Sequence, residues 1–178
     1  NISDLAAIVS NEKAIEALNE TKSISLAYLY TDGPNEALEK ALATLEEADH
    51  SIVLSSGVAA ITGALLAFLK SGDHLLMVDS VYGPTRRFCD QELKRLGIET
   101  TYYDPCIGAD IAALLRENTK VVFVESPGSL TFEVQDIPAI AAAAHARGAV
   151  VLGDNTWGSL LYMRPFELGI DVSIHSAT

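Results

Sequence analysis

The residues that could do chemistry in this sequence are polar ones standing just past apolar runs. Ser55-Ser56-Gly57-Val58 follows Ile52-Val53-Leu54 and opens a helix-like stretch. Gly57 permits a tight turn, and amides at the start of a following helix make a ready anion site. An ordinary strand-to-helix turn would use the same residues. Tyr82, shortly after Asp79-Ser80, could stack on a planar ligand or be a half-buried surface tyrosine. Asp154 directly follows Val150-Val151-Leu152-Gly153, where a carboxylate is costly to bury unless it is paired. The carboxylate could serve a helix cap at Thr156 or a structural hydrogen bond, or face a metal or a cationic ring nitrogen; with no other metal ligands in view, the ring nitrogen is favoured. Ser176 and Thr178, hydroxyls at i and i+2 past another apolar run, could close a Ser/Thr turn or hold a phosphate. Neither GxGxxG nor GxxxxGK[ST] is present, which argues against a dinucleotide fingerprint or a Walker loop. In their order along one chain, the four sets describe a site for a phosphorylated, planar, protonated heterocycle.

Such groups need a scaffold, and the hydropathy pattern supplies one. Short apolar runs at Ser51–Leu54, Leu75–Val78, Ile98–Tyr102, Val121–Val124, Ala149–Leu152 and Val172–Ile174 read as strands. Helical patterns occupy Val58–Leu69, Pro84–Leu96, Ala109–Arg116 and Asp136–Arg147, with Gly97 and Gly148 as stops. Earlier, Asp32-Gly33-Pro34-Asn35 signals a turn whose Asn35 caps a helix carrying Leu38, Leu42 and Leu45. Ile2, Leu5, Ile8 and Val9, then Ala14, Ile15 and Leu18, also recur at helical spacing. Strands without polar alternation imply a sheet buried on both faces. The fold class is therefore α/β, a mostly parallel sheet with helices on both faces, and ligands bind at the carboxyl ends of its strands. We divide the chain into an N-terminal segment, residues 1–35, and a larger domain, residues 36–178.

Composition narrows the function classes. The 178 residues carry 12 Lys+Arg against 24 Asp+Glu, a net charge of −12, with 49% hydrophobic residues. That balance supplies a core but no basic face for nucleic acid or an anionic membrane. Cys89 and Cys106 form no disulfide framework, and His50, His74, His145 and His175 are scattered, so no metal site is expected. Ser51–Leu69 is uncharged, but Gly57, Gly63 and its hydroxyls fit a strand, turn and helix better than a membrane span. No signal peptide is recognisable, which makes the cytoplasm the default compartment.

From about Glu36 onward the sequence resembles the Cys/Met-metabolism family of pyridoxal-phosphate enzymes. The resemblance is carried by Ser55–Ile61, Val81-Tyr82-Gly83-Pro84-Thr85, Glu125-Ser126-Pro127-Gly128-Ser129, Asp154-Asn155-Thr156-Trp157 and Asp171–Thr178. It implies the large domain of fold-type I enzymes and the cofactor pyridoxal 5′-phosphate. Gly57 and Val58 amides with the Ser176 and Thr178 hydroxyls would hold the phosphate, Tyr82 would stack on the ring and serve catalysis, and Asp154 would pair with the ring nitrogen. The Schiff-base lysine is expected directly after Thr178. Ser129, where the γ-lyase and γ-synthase branches usually carry Asn, and the run Asp104–Asp110 point to the β-lyase branch. The implied activity is α,β-elimination of L-cystathionine to homocysteine, pyruvate and ammonia, by a homotetramer. The alternatives are a γ-lyase or γ-synthase, or a catalytically silent cofactor-binding or assembly fragment. The family's upstream Tyr-x-Arg contact to a neighbouring subunit has no counterpart in Tyr28-Leu29-Tyr30-Thr31-Asp32, which lacks Arg, and is left unassigned.

Overall fold

The computed structural model describes residues 24–28 and 36–176. The helices expected before residue 23, the Asn35 cap and the Thr178 hydroxyl lie outside the described residues. The strands are β1 (Ile24–Tyr28), β2 (His50–Leu54), β3 (His74–Val78), β4 (Glu99–Tyr103), β5 (Thr119–Glu125), β6 (Val150–Asp154) and β7 (Val172–Ser176). The helices are α1 (Glu36–Glu46), α2 (Gly57–Phe68), α3 (Gly83–Phe88), α4 (Ile137–His145) and α5 (Ser159–Tyr162). One seven-stranded sheet takes the order β2-β1-β7-β6-β5-β3-β4, and every pairing in it is parallel.

Burial explains why these segments are strands. All of β3 is buried, and β5 is buried except at Lys120, so neither shows the alternation of a half-solvated strand. Leu75, Leu76, Met77, Val121, Val122, Phe123 and Leu152 are wholly inaccessible. Each fully buried aliphatic side chain of this kind stabilises the fold by about 1.5–3 kcal/mol. Helix α2 lies against the sheet through Ala59, Ala60, Ile61, Ala64 and Leu65, whose small members allow a close approach. Helix α4 buries Ile137, Ile140, Ala141 and Ala144, an i, i+3, i+4, i+7 stripe, and Asp136 caps it by accepting the Ala139 N–H at 3.2 Å.

Right-handed crossovers fix the layers. The chain moves one way along the sheet through α2 and α3, and the other way through α1, α4 and α5, so the two sets cover opposite faces. Neighbouring β3 and β5 therefore send their connections in opposite directions, which opens a crevice at their carboxyl ends.

Three local readings need correction. The continuous helix expected over Pro84–Leu96 is instead α3 followed by a π turn, Cys89–Leu93, whose wider winding brings Cys89 and Leu93 together into the core. The helix expected at Ala109–Arg116 is a 3₁₀ segment, Gly108–Ala113, in which Ile111 alone is buried, so there is no second apolar turn to sustain an α-helix. Strand β1 falls in a stretch where no strand was foreseen; it is held between β2 and β7. Ser51–Leu69 resolves into β2, a turn and α2, and among the described residues no helix is long and apolar enough to cross a membrane.

Candidate active site

At the carboxyl ends of β3, β5, β6 and β7 lies a cavity of about 540 Å³, lined by residues that include Gly57, Val58, Tyr82, Glu125, Ser129, Asp154, Thr156, Trp157 and Ser176. In the sequence each proposed site residue could be judged only singly; the fold brings the five that lie among the described residues, Gly57, Val58, Tyr82, Asp154 and Ser176, to one opening.

One end of the cavity is built for an anion. Ser56 caps α2 with its Oγ accepting the Ala59 N–H at 3.0 Å, and no acidic side chain stands in the first turn. That leaves the Gly57 and Val58 amides, which have no intrahelical acceptor, at the positive end of a helix. Gly57 is required by crowding: a Cβ there would stand 2.8 Å from Ser176 Cβ and 2.9 Å from its Oγ. The missing side chain lets the start of α2 and the end of β7 meet, bringing main-chain donors and a hydroxyl side by side. Thr156 secures the junction, because its Oγ1 accepts the Ser176 N–H at 2.9 Å.

The floor is acidic. Asp154, at the end of β6, is 9% exposed and its Oδ1 accepts the Thr156 N–H at 2.9 Å. Its pairing partner across the ladder is Glu125, the last residue of β5 and 6% exposed. Burial, and then the charge of Asp154, push the Glu125 carboxyl up to about 8, against the pull of the Tyr82 N–H. Burial also raises Asp154, opposed by its hydrogen bonds to Thr156 and by nearby His175. A cation above this floor would relieve both groups. These residues thus fit a ligand with an anionic end and a protonated ring, the combination of phosphate and protonated heterocycle that the sequence suggested.

The wall is aromatic. Tyr82 is 45% exposed, its N–H is held by Glu125 Oε2 at 2.9 Å, and its carbonyl accepts the Arg86 N–H at 3.1 Å as α3 begins. Trp157 meets Phe132 edge to face, with ring centroids 5.3 Å apart. Sequence reasoning placed Glu125 at a strand end without giving it a task, and named Thr156 only as a cap near Asp154, not as a support of Ser176. Their adjacency to Asp154 and Ser176 is a property of strand order, which short apolar runs do not encode.

Comparison with known proteins follows the same site. Over 144 residues the chain is 44% identical to cystathionine beta-lyase MetC of Escherichia coli (strain K12), covering 80% of this chain and 36% of that protein. It is 34% identical over 170 residues to the L-alanine/L-glutamate racemase of Wolbachia pipientis wMel, covering 95% of this chain and 42% of that protein. The crystal structure of cystathionine gamma-lyase from Lactobacillus plantarum complexed with L-serine superposes with a TM-score of 0.75, at 34% identity, covering 78% of this chain and 36% of that one. The chain thus spans about two fifths of the length of such relatives. A family model described as Cys/Met metabolism PLP-dependent enzyme matches residues 7–178, and with the match running through every strand of the sheet, the chain belongs to that family.

Proposed function

We propose that this chain forms the cofactor-holding part of a pyridoxal-phosphate-dependent carbon–sulfur lyase that converts L-cystathionine to homocysteine, pyruvate and ammonia by α,β-elimination. The observation that carries the reading is the joining of an anion cradle and a buried acidic floor in one cavity, seen in a chain 44% identical to a cystathionine beta-lyase. Gly57 and Val58 would donate main-chain N–H groups to the phosphate, together with the hydroxyls of Ser176 and Thr178. Asp154 would accept the ring N–H and keep that nitrogen protonated. Tyr82 would lie against the ring and stand beside the reacting carbon. The bound cofactor supplies an electron sink for the carbon that loses its proton. A lysine directly after Thr178 would hold the cofactor covalently and move that proton.

Ser129 lines the cavity, which gives weight to its use in separating the β-lyase branch from γ-lyases and γ-synthases. The division at residue 36 remains our reading of the larger domain, with β1 contributed to its sheet from the preceding segment. The assembled enzyme is read as a cytoplasmic homotetramer. The test is product analysis of the full-length enzyme with L-cystathionine, run beside Asp154→Asn. Homocysteine and pyruvate are expected, with turnover in a folded Asp154→Asn variant down by roughly 10²-fold or more. Cysteine as the thiol product would move the enzyme to the γ-lyases, and near-normal turnover of the variant would overturn the role of Asp154.

A further inference from the structure

Of the two carboxyl groups on the cavity floor, only Asp154 has a role so far. Glu125 is as deeply placed, and it too is held by a main-chain donor. Its Oε2 accepts the Tyr82 N–H at 2.9 Å, while its own N–H donates to Gln135 Oε1 at 3.0 Å. Gln135 is braced in turn, since its Nε2 donates to the Tyr103 hydroxyl at 3.2 Å and that hydroxyl donates to the Phe123 carbonyl at 2.9 Å. A carboxyl tied to the Tyr82 N–H, on a main chain that Gln135 braces, 6% exposed and lining the cavity, is not a solvated surface acid.

Glu125 and Asp154 are direct partners on adjacent parallel strands. Two buried carboxylates so placed resist ionising together, and the pair settles on one negative charge. Asp154 is the better holder of it. It accepts the Thr156 N–H and feels His175, whereas Glu125 has the Tyr82 N–H alone among the described residues. The proton then rests on Glu125 Oε1, for which the described residues supply no partner.

We propose that Glu125 is a positioning residue of this site: as the protonated member of the pair it leaves the negative charge on Asp154, and through the Tyr82 N–H it fixes the main chain that presents the Tyr82 ring to the cavity. The inference rests on the pyridoxal-phosphate reading above, and it explains how one carboxylate can face a ring nitrogen while its neighbour does not compete for the same cation.

The test uses the full-length, cofactor-free protein and 4′-deoxypyridoxine 5′-phosphate, which keeps the ring and the phosphate but lacks the aldehyde. Its binding reports on the site without turnover or a covalent bond. Glu125→Gln, a neutral isostere with an acceptor oxygen, is expected to bind the probe within about threefold of wild type, whereas Glu125→Ala weakens it by roughly tenfold. The induced circular dichroism of the bound probe should persist in Glu125→Gln and collapse in Glu125→Ala. At neutral pH, the infrared difference between unliganded wild type and Glu125→Gln should contain the C=O stretch of a carboxylic acid. Wild-type affinity and dichroism in Glu125→Ala would overturn the proposal, as would a Glu125→Gln variant that binds as poorly as Glu125→Ala, or a carboxylate band in place of the acid. If Glu125→Ala does not fold, the affinity and infrared readings of Glu125→Gln decide alone. Failure of wild type to bind the probe removes the pyridoxal-phosphate reading as well; binding that is indifferent to Glu125 removes only this one.

Discussion

Glu125 ties the chemistry of the site to the stability of the protein. Its carboxyl is raised from 4.5 to about 8, first by burial and then by Asp154, with the Tyr82 N–H opposing. A raised value means that the folded protein holds a proton which the unfolded chain gives up. The stabilisation is therefore complete below about 4.5 and is lost as the pH rises through about 8. Each unit of such a difference corresponds to about 1.4 kcal/mol, so the whole effect amounts to a few kcal/mol at most. Among the described residues Asp154 is the charged group acting on Glu125, and His175 acts on Asp154. Thermal unfolding of the cofactor-free protein should show a melting temperature that falls across this window, and Glu125→Gln should flatten the fall. Parallel pH profiles for wild type and variant would show that Glu125 does not carry the proton. Asp154 was legible in the sequence because a carboxylate after four uninterrupted apolar or small residues is anomalous. Glu125 ends an equally apolar run, but only the β5–β6 register reveals that it has a carboxylate for a neighbour.

At the scale of elements, α2 shows how a glycine is used and how the use can be tested. Gly57 and Gly63 belong to the same helix, but their surroundings differ. A Cβ at Gly57 would press on Ser176 at 2.8 Å, whereas at Gly63 nothing lies within 4 Å. Gly57→Ala must push β7 away from the helix start, at a cost of about 1–3 kcal/mol, and should weaken binding of pyridoxal phosphate about tenfold or more. Gly63→Ala adds a methyl group to open space in mid-helix and should raise stability by about 0.5–1 kcal/mol without changing that affinity. Denaturant unfolding and cofactor titration of the two variants separate the effects; equal affinities would mean that the α2–β7 junction does not hold the phosphate. The start of α2 could be read in advance, since Ser56 and Gly57 follow an apolar strand. The π turn and the 3₁₀ segment could not. Their winding is decided by which side chains reach the core, Cys89 with Leu93 in one and Ile111 alone in the other.

Across the whole molecule, the sheet order is what turns scattered residues into one site, and it also links the site to a distant edge. The strands near the site run β7-β6-β5-β3, so Ser176, Asp154, Glu125 and Tyr82 arrive side by side from widely separated parts of the chain. Alternating strands and helices foretell parallel pairing, yet they leave the order of strands open, and β1 between β2 and β7 was not foreseen at all. On the side of β7 that carries His175, helix α1 contributes Glu46, whose Oε1 lies 3.1 Å from His175 Nε2. Ser173 Oγ shares that nitrogen at 3.0 Å, and both Glu46 and His175 are buried. His175 precedes Ser176, so this pair anchors α1 to the strand that completes the anion cradle. Glu46→Ala leaves the imidazole without that partner and should destabilise the protein by about 1–3 kcal/mol. Because the lost tether lies directly behind Ser176, cofactor affinity should fall as well, whereas Glu46→Gln, which can still bond the imidazole, should retain most of both. Denaturant midpoints and cofactor titrations of the two variants provide the check. A Glu46→Ala protein that loses stability but binds cofactor like wild type would make α1 a support of the sheet edge and no part of the cradle's positioning.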